Sequence, residues 1–243
     1  MQPYSSLIST TSESFDQRRQ GMLERVRELR ALEQRAADQS ARAKPIFDKR
    51  GALLPRERVA RLLDPGQTFL PIATLAGYAM DEPDPAKVVP GGALVAGIGF
   101  VRGVRCMVVA SDSGIDAGAI TESGNLKFQR CQDLALENKL PFIQLVESAG
   151  ANLLKYRVDK FVRGGAIFYK LARLSAAGIP VITVVHGSST AGGAYLPGLS
   201  DYVILVRGRS SVYLAGPPLV KAAIGEDSDE ETLGGAETHA TVT

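Results

Sequence analysis

The chain has 243 residues, 45% hydrophobic and 22% charged. That is enough to bury the core of one large α/β domain, and no uninterrupted run approaches the ~20 apolar residues of a membrane span. Its 28 basic and 26 acidic residues are dispersed, leaving a formal net charge of +2 and no basic block dense enough to follow a nucleic-acid backbone. Cys106 and Cys131 lack zinc-ribbon or C-x-x-C spacing and read as reduced core thiols, so no metal site is expected. The opening Met1-Gln2-Pro3-Tyr4-Ser5 has neither the basic nor the apolar region of a signal peptide. Glu13 and Asp16 precede the first arginine, Arg18, unlike an acid-poor mitochondrial transit peptide, so a cytoplasmic protein is expected ahead of a matrix one.

Residues 1 to about 12 are rich in Ser and Thr and read as frayed. Leu23, Val26, Leu29 and Leu32 then recur at three-residue spacing among charges, which predicts one long amphipathic helix resting a narrow apolar stripe on a core. Pro55 opens a short helix to Leu63, and Asp64-Pro65-Gly66 ends it. After a Pro/Gly loop over 81–92, the β-rich runs Ala93 to Val101 and Val104 to Ala110, hinged at Arg102-Gly103, predict a hairpin. Gly97, Gly99 and Gly103 are misspaced for a dinucleotide-binding turn, and a strand follows where a helix must stand.

From residue 124 a βαβ alternation begins. A helix near Asn125 to Asn138 leads to the apolar strand Phe142 to Val146, and a second helix of about 20 residues to Leu174 is capped at Gly178. Pro180 opens the strand Val181 to Val185, followed by a glycine-rich turn, a helix start near Ala194, strands Tyr202 to Val206 and Ser211 to Leu214, and a helix after Pro217-Pro218. Strands buried on both faces and separated by helices predict an α/β layered fold.

Two turns leave the carboxyl ends of apolar strands, where parallel sheets place ligand sites. They are Glu147-Ser148-Ala149-Gly150-Ala151-Asn152 and His186-Gly187-Ser188-Ser189-Thr190-Ala191-Gly192-Gly193-Ala194-Tyr195. Small residues let a ligand approach the backbone, and the leading N–H groups of the following helix then face it. Two such turns side by side supply two donors to one oxygen, an arrangement whose loss of one donor typically costs ~3 to 4 kcal/mol of transition-state stabilisation. A lone small-residue turn more often serves close helix–strand packing. Side-chain catalysts are scarce: His186 reads as a hydrogen-bonded structural residue, His239 lies near the end, and neither a Ser-His-Asp arrangement nor Gly-x-Ser-x-Gly is legible. Lys127, read as an exposed helical lysine, is the candidate for a phosphate, and the acidic run Glu226 to Glu231 reads as a solvated loop.

The stretch from Leu145 to Asn152, then TAGGAYLPGLSDYVILV, then YLAGPPLVKAAIGE and LGGAETH, resembles the β-type carboxyltransferase of biotin-dependent acyl-CoA carboxylases, from RGALLPRERVARLLDPG onward. The resemblance implies a crotonase-like superhelical ββα fold over 50–243, preceded by a helical arm over 1–49. It implies an acyl-CoA bound here, and carboxybiotin held by a C-terminal domain of the same fold that is absent from this chain. Family active sites form between the two domains of different subunits, so a homo-oligomer and a biotin carboxylase/biotin carrier partner are implied, and the domain alone is expected to be inactive. In the implied reaction no protein base is required. The resemblance makes Gly150, Ala151, Gly192 and Gly193 the candidates for the backbone that stabilises the enolate, and Ala149, Ala191 and Ala194 join Lys127, a candidate by its own chemistry, at the coenzyme. Ala149 departs from the family's usual Ser-Gly-Gly-Ala, and a positive φ there would cost roughly 1 kcal/mol or more.

YLAGPPLVKAAIGE looks more like the methylcrotonyl- and geranyl-type enzymes than the propionyl type, so a branched enoyl-CoA is the expected substrate. Propionyl- or acetyl-CoA, and a non-catalytic subunit or fragment that binds CoA thioesters, are the alternatives. An enoyl-CoA hydratase is disfavoured because Tyr195 and Leu196 stand where its glutamate would follow the second turn.

Overall fold

In a computed structural model of the chain, residues 5–80, 82–151 and 157–243 are described. Arg102 and Gly103 take φ of 51° and 78°, the left-handed pair that a two-residue hairpin loop requires. β2 (Leu94–Val101) therefore folds back antiparallel on β3 (Val104–Ser111) in full register. Asp64 closes that hairpin, its carboxylate accepting from the N–H groups of Arg102 and Gly103 at 2.8 and 2.7 Å. The short β1 (Leu70–Pro71) pairs with the outer edge of β2.

β4 (Phe142–Ser148) joins β3 in parallel, and β5 (Val181–Thr190) joins β4. The ten residues of β5 are shared by two partners: Ile182 to Val185 pair with β6 (Tyr202–Leu205), and Ser188 to Thr190 with β7 (Ser211–Tyr213). The parallel βαβ core and its antiparallel entry hairpin thus match the expected layered fold.

Among the described residues, helices α1 (Glu13–Ala41), α2 (Lys44–Lys49), α3 (Pro55–Leu62), α4 (Glu122–Asn138), α5 (Val158–Gly164), α6 (Ala166–Ala176) and α7 (Tyr195–Gly198) precede or cross this sheet. α8 (Pro217–Ile224), α9 (Glu230–Gly234) and α10 (Ala236–Thr241) close the described chain. Thr121 starts α4 by accepting from Gly124 N at 3.1 Å, and Lys139 ends it in the left-handed region. Gly124, Phe128, Cys131 and Ala135 recur at helical spacing and bury one face of α4. With Ile167, Leu171 and Leu174 of α6, Phe128, Cys131 and Ala135 pack on Met107, Phe142, Val146 and Val181. The opposite face of the sheet carries Val95, Val108, Ile143 and Leu145 beneath Val59 of α3.

Four expectations need correction. The helix ending near Leu174 is two helices broken at Gly164-Gly165, where a methyl group on Gly164 would stand 3.1 Å from Asn125 Nδ2 of α4. The apolar stripe of α1 rests only half-buried, with Val26 41% exposed; firm docking comes later, at Ala36 and Ser40. β6 is not covered on both faces, since Tyr202 and Ile204 are 63% and 54% exposed. The acidic run is not wholly a loop: Asp229 caps α9, accepting from Glu231 N and Thr232 N at 3.0 and 2.9 Å.

Candidate functional site

The carboxyl ends of β4 and β5 bring the two small-residue turns into contact. Gly150 has φ of 82°, and a methyl group on it would stand 3.1 Å from both Ala191 Cβ and Thr190 O. A methyl group on Gly193 would stand 3.1 Å from Ser148 Cβ and 3.2 Å from Ser189 Oγ. The turns are therefore as close as the absence of side chains allows. The strain expected at Ala149 falls elsewhere: the left-handed residues are Gly150 and Ala191, the latter at φ 50°.

The structure divides the four backbone candidates. Gly192 faces open space, with no atom within 4 Å of a methyl group placed on it. It is the second residue of the short 3-10 turn Ala191–Ala194, and the first N–H groups of such a turn have no partner within it. Gly193 is a packing position against Ser148 and Ser189. Gly150 N donates to Ser148 Oγ at 3.1 Å, so its N–H is engaged within the protein and its contribution is the close approach of Ala191. Ala151 is half-buried and bridges Ile120. Ala149 and Ala191 are exposed beside the turn, Ala194 is 8% exposed behind it, and Asn152 lies outside the described residues.

Lys127 is a correction. It is 4% exposed, on the buried face of α4, and its Nζ donates to Gly91 O and Leu94 O at 3.1 and 2.7 Å. Burial lowers its pKa to about 8. The amine holds the 91–94 loop and is not presented to a ligand phosphate.

Sequence reasoning missed the wall opposite the turns. Asp116, Ala117 and Gly118 take three successive positive φ values, 47°, 51° and 69°. Their loop accepts Ala149 N at Ala117 O and Ser148 Oγ at Gly118 O, at 3.3 and 2.9 Å, while Ile120 N donates to Gly150 O at 2.7 Å. The legible signal was Gly114 and Gly118 following the carboxyl end of β3, a third strand end on the same sheet edge. Between this wall, α4 and α6 lies a narrow cleft with an enclosed volume of about 30 Å³, lined by Leu94, Ile120, Phe128, Ser148, Ile167 and Leu196. Its walls are mainly apolar, with Ser111, Asn125 and Ser148 as the polar side chains of the lining.

His186 is buried, but neither ring nitrogen has a hydrogen-bond partner, which corrects the expected hydrogen-bonded histidine. Its Nδ1 stands 3.6 Å from Glu147 Oε2, beyond a direct bond. Burial, then the nearby Arg58 charge, push its pKa down to about 3. Ser113 Oγ donates to Glu147 Oε2 at 2.6 Å. The serine bonds the carboxylate and not the histidine, so these three residues form no nucleophilic triad. After the second turn, Tyr195 stacks on Phe168 with ring centroids 5.1 Å apart, and Leu196 is 4% exposed. Neither residue is a carboxylate that could place a water.

A family model, Carboxyl transferase domain, matches residues 48–243. The probable biotin-dependent acyl-coenzyme A carboxylase beta2 subunit of Mycobacterium tuberculosis is 50% identical over 193 residues, 79% of this chain and 35% of its own length. The probable mitochondrial methylcrotonoyl-CoA carboxylase beta chain of Drosophila melanogaster is 47% identical over 193 residues, 78% of this chain and 33% of its own. Among solved structures, the beta subunit of geranyl-CoA carboxylase from P. aeruginosa is similar at a TM-score of 0.88 and 51% identity, over 98% of this chain and 44% of that one. The chain spans about a third of the length of these curated relatives.

Proposed function

Because this chain belongs to the carboxyl transferase domain family of biotin-dependent acyl-CoA carboxylase beta subunits, we propose that it is the acyl-CoA-binding half of such a subunit, with a branched enoyl-CoA as substrate. The observation that carries this reading is the contact of Gly150 with Ala191 beside an apolar cleft. The thioester oxygen is assigned to the open side of Gly192, with Ala151 of the first turn as the second donor. Amide N–H groups held there stabilise the negative charge that reaches the thioester oxygen when the vinylogous γ-carbon of an enoyl thioester, or the α-carbon of a saturated one, loses its proton. Leu94, Ile120, Phe128 and Ile167 of the adjoining cleft offer apolar surface to the hydrocarbon chain. Carboxybiotin, delivered by a biotin carrier partner and bound by a second domain, supplies the carboxyl group; the described residues here serve the acceptor.

The substrate assignment is supported by identities of 51% to the geranyl-CoA and 47% to the methylcrotonoyl-CoA enzymes, against 33% to the mouse propionyl-CoA carboxylase beta chain. Pockets separate acyl chains by ~1 to 3 kcal/mol per methylene. Calorimetric titration with geranyl-CoA, 3-methylcrotonyl-CoA, propionyl-CoA and free CoA tests it. A branched enoyl thioester is expected to bind about tenfold or more tighter than free CoA. Equal affinity for propionyl-CoA refutes the branched assignment, and no thioester preference at all refutes the site.

A further inference from the structure

The pairing of β4 with β5 contains an irregularity that the site depends on. Val146 pairs with Val185, but the next pair is Ser148 with Ser189. Glu147 alone therefore stands opposite His186, Gly187 and Ser188. A bulge of this kind leaves residues without ladder partners and bends the strand that carries it. Its hollow is occupied by the Glu147 side chain. A methyl group on Gly187 would stand 2.5 Å from Glu147 Oε1 and 2.6 Å from its carboxyl carbon. The same carboxylate accepts from Ser113 Oγ at 2.6 Å and faces His186 Nδ1 at 3.6 Å. Arg58, on α3 and attracted to the Glu147 charge, has a buried Nε with no hydrogen-bond partner. Behind Glu147 the backbone is equally close, since a methyl group on Gly118 would stand 2.2 Å from Glu147 O.

We propose that Glu147 is a positioning residue, a wedge whose carboxylate fills the β5 bulge, is anchored by Ser113 and sets the offset that brings the Ala191–Gly193 turn against Gly150. This rests on the reading of the two turns as the site that polarises an acyl thioester. Glu147 lies on the α3 face of the sheet and touches no substrate atom. It acts through the backbone: without the wedge, His186, Gly187 and Ser188 relax toward regular pairing and Gly192 withdraws from the thioester oxygen. Removing it therefore disturbs the polarisation of the carbonyl more than the grip on the coenzyme and acyl chain.

The test uses this chain and 3-methylcrotonyl-CoA labelled at its thioester carbonyl, with the carbonyl stretch of the bound ligand read by difference infrared spectroscopy. Wild type is expected to lower that frequency on binding. Glu147→Ala is expected to lose most of the shift while its affinity changes by less than about threefold, and Ser113→Ala to lose a smaller part. A thermal melt reports whether each variant folds; should Glu147→Ala not fold, Ser113→Ala decides. A full shift in the folded variants overturns the positioning role and leaves the thioester site standing. Failure of the wild type to bind the ligand or to shift its carbonyl overturns both.

Discussion

Small residues in the two turns have separable duties, and substitution at each distinguishes them. Gly193→Ala brings a methyl group to 3.1 Å from Ser148 Cβ, an overpacking expected to cost about 1–3 kcal/mol in chemical denaturation. Gly150→Ala adds a left-handed backbone penalty of about 1–2 kcal/mol to its contact with Ala191. His186 supplies a pH test. Its pKa in the fold is lowered from 6.5 to about 3, so the unfolded chain binds the extra proton between those values. The stability from keeping it neutral is present above pH 6.5 and is lost as pH falls toward about 3. Wild type is expected to lose stability more steeply across that interval than His186→Gln; equal slopes contradict the assignment. Arg58 and Glu147 are the charged groups nearest this ring.

At the scale of elements, periodicity and punctuation made most of the sheet legible. The Arg102-Gly103 hinge, the α3 start at Pro55 and the Gly178 cap all stand where turn and capping chemistry places them. Local pattern failed where long-range packing decides. Nothing near Lys127 announces that its amine will reach two carbonyls over thirty residues earlier in the chain. The β5 irregularity lies opposite an acid on the neighbouring strand, and the three left-handed residues at 116–118 lie against the first turn, contacts that no local pattern announces. The two turns were readable because both follow apolar strands, but which glycine stays open and which is packed depends on their mutual approach. The arm is likewise tied in by distant chemistry. Ser40 Oγ donates to the buried Asp112 at 2.5 Å, and a methyl group on Gly114 would stand 2.7 Å from Ser40 O. Ser40→Ala leaves Asp112 short of a partner and is expected to destabilise the chain by about 1–3 kcal/mol in thermal or denaturant unfolding. A neutral result would make the arm's attachment apolar, through Ala36 and Phe47.

On the scale of the whole molecule, the resemblance expected from residue 50 onward and the family match over 48–243 coincide, and the P. aeruginosa geranyl-CoA carboxylase beta subunit shares the fold at 44% coverage of its own chain. Leu219 and Ile224 of α8 are 63% and 65% exposed, and Tyr202 of β6 is 63% exposed. Carboxyl transfer, on the proposed reading, needs a second domain. With a biotin carboxylase and carrier supplied, this chain alone is expected to leave its acyl-CoA uncarboxylated, and addition of the remaining part of a complete beta subunit to restore turnover; carboxylation by the chain alone would contradict the division of labour. The central claim is that the open face of Gly192 receives the thioester. It is tested most directly by titrating Gly192→Ala with the enoyl-CoA that wild type prefers. The added methyl group meets no protein atom, so the variant is expected to melt at or slightly above the wild-type temperature while its affinity falls about tenfold or more. Undiminished affinity in the folded variant would place the thioester elsewhere.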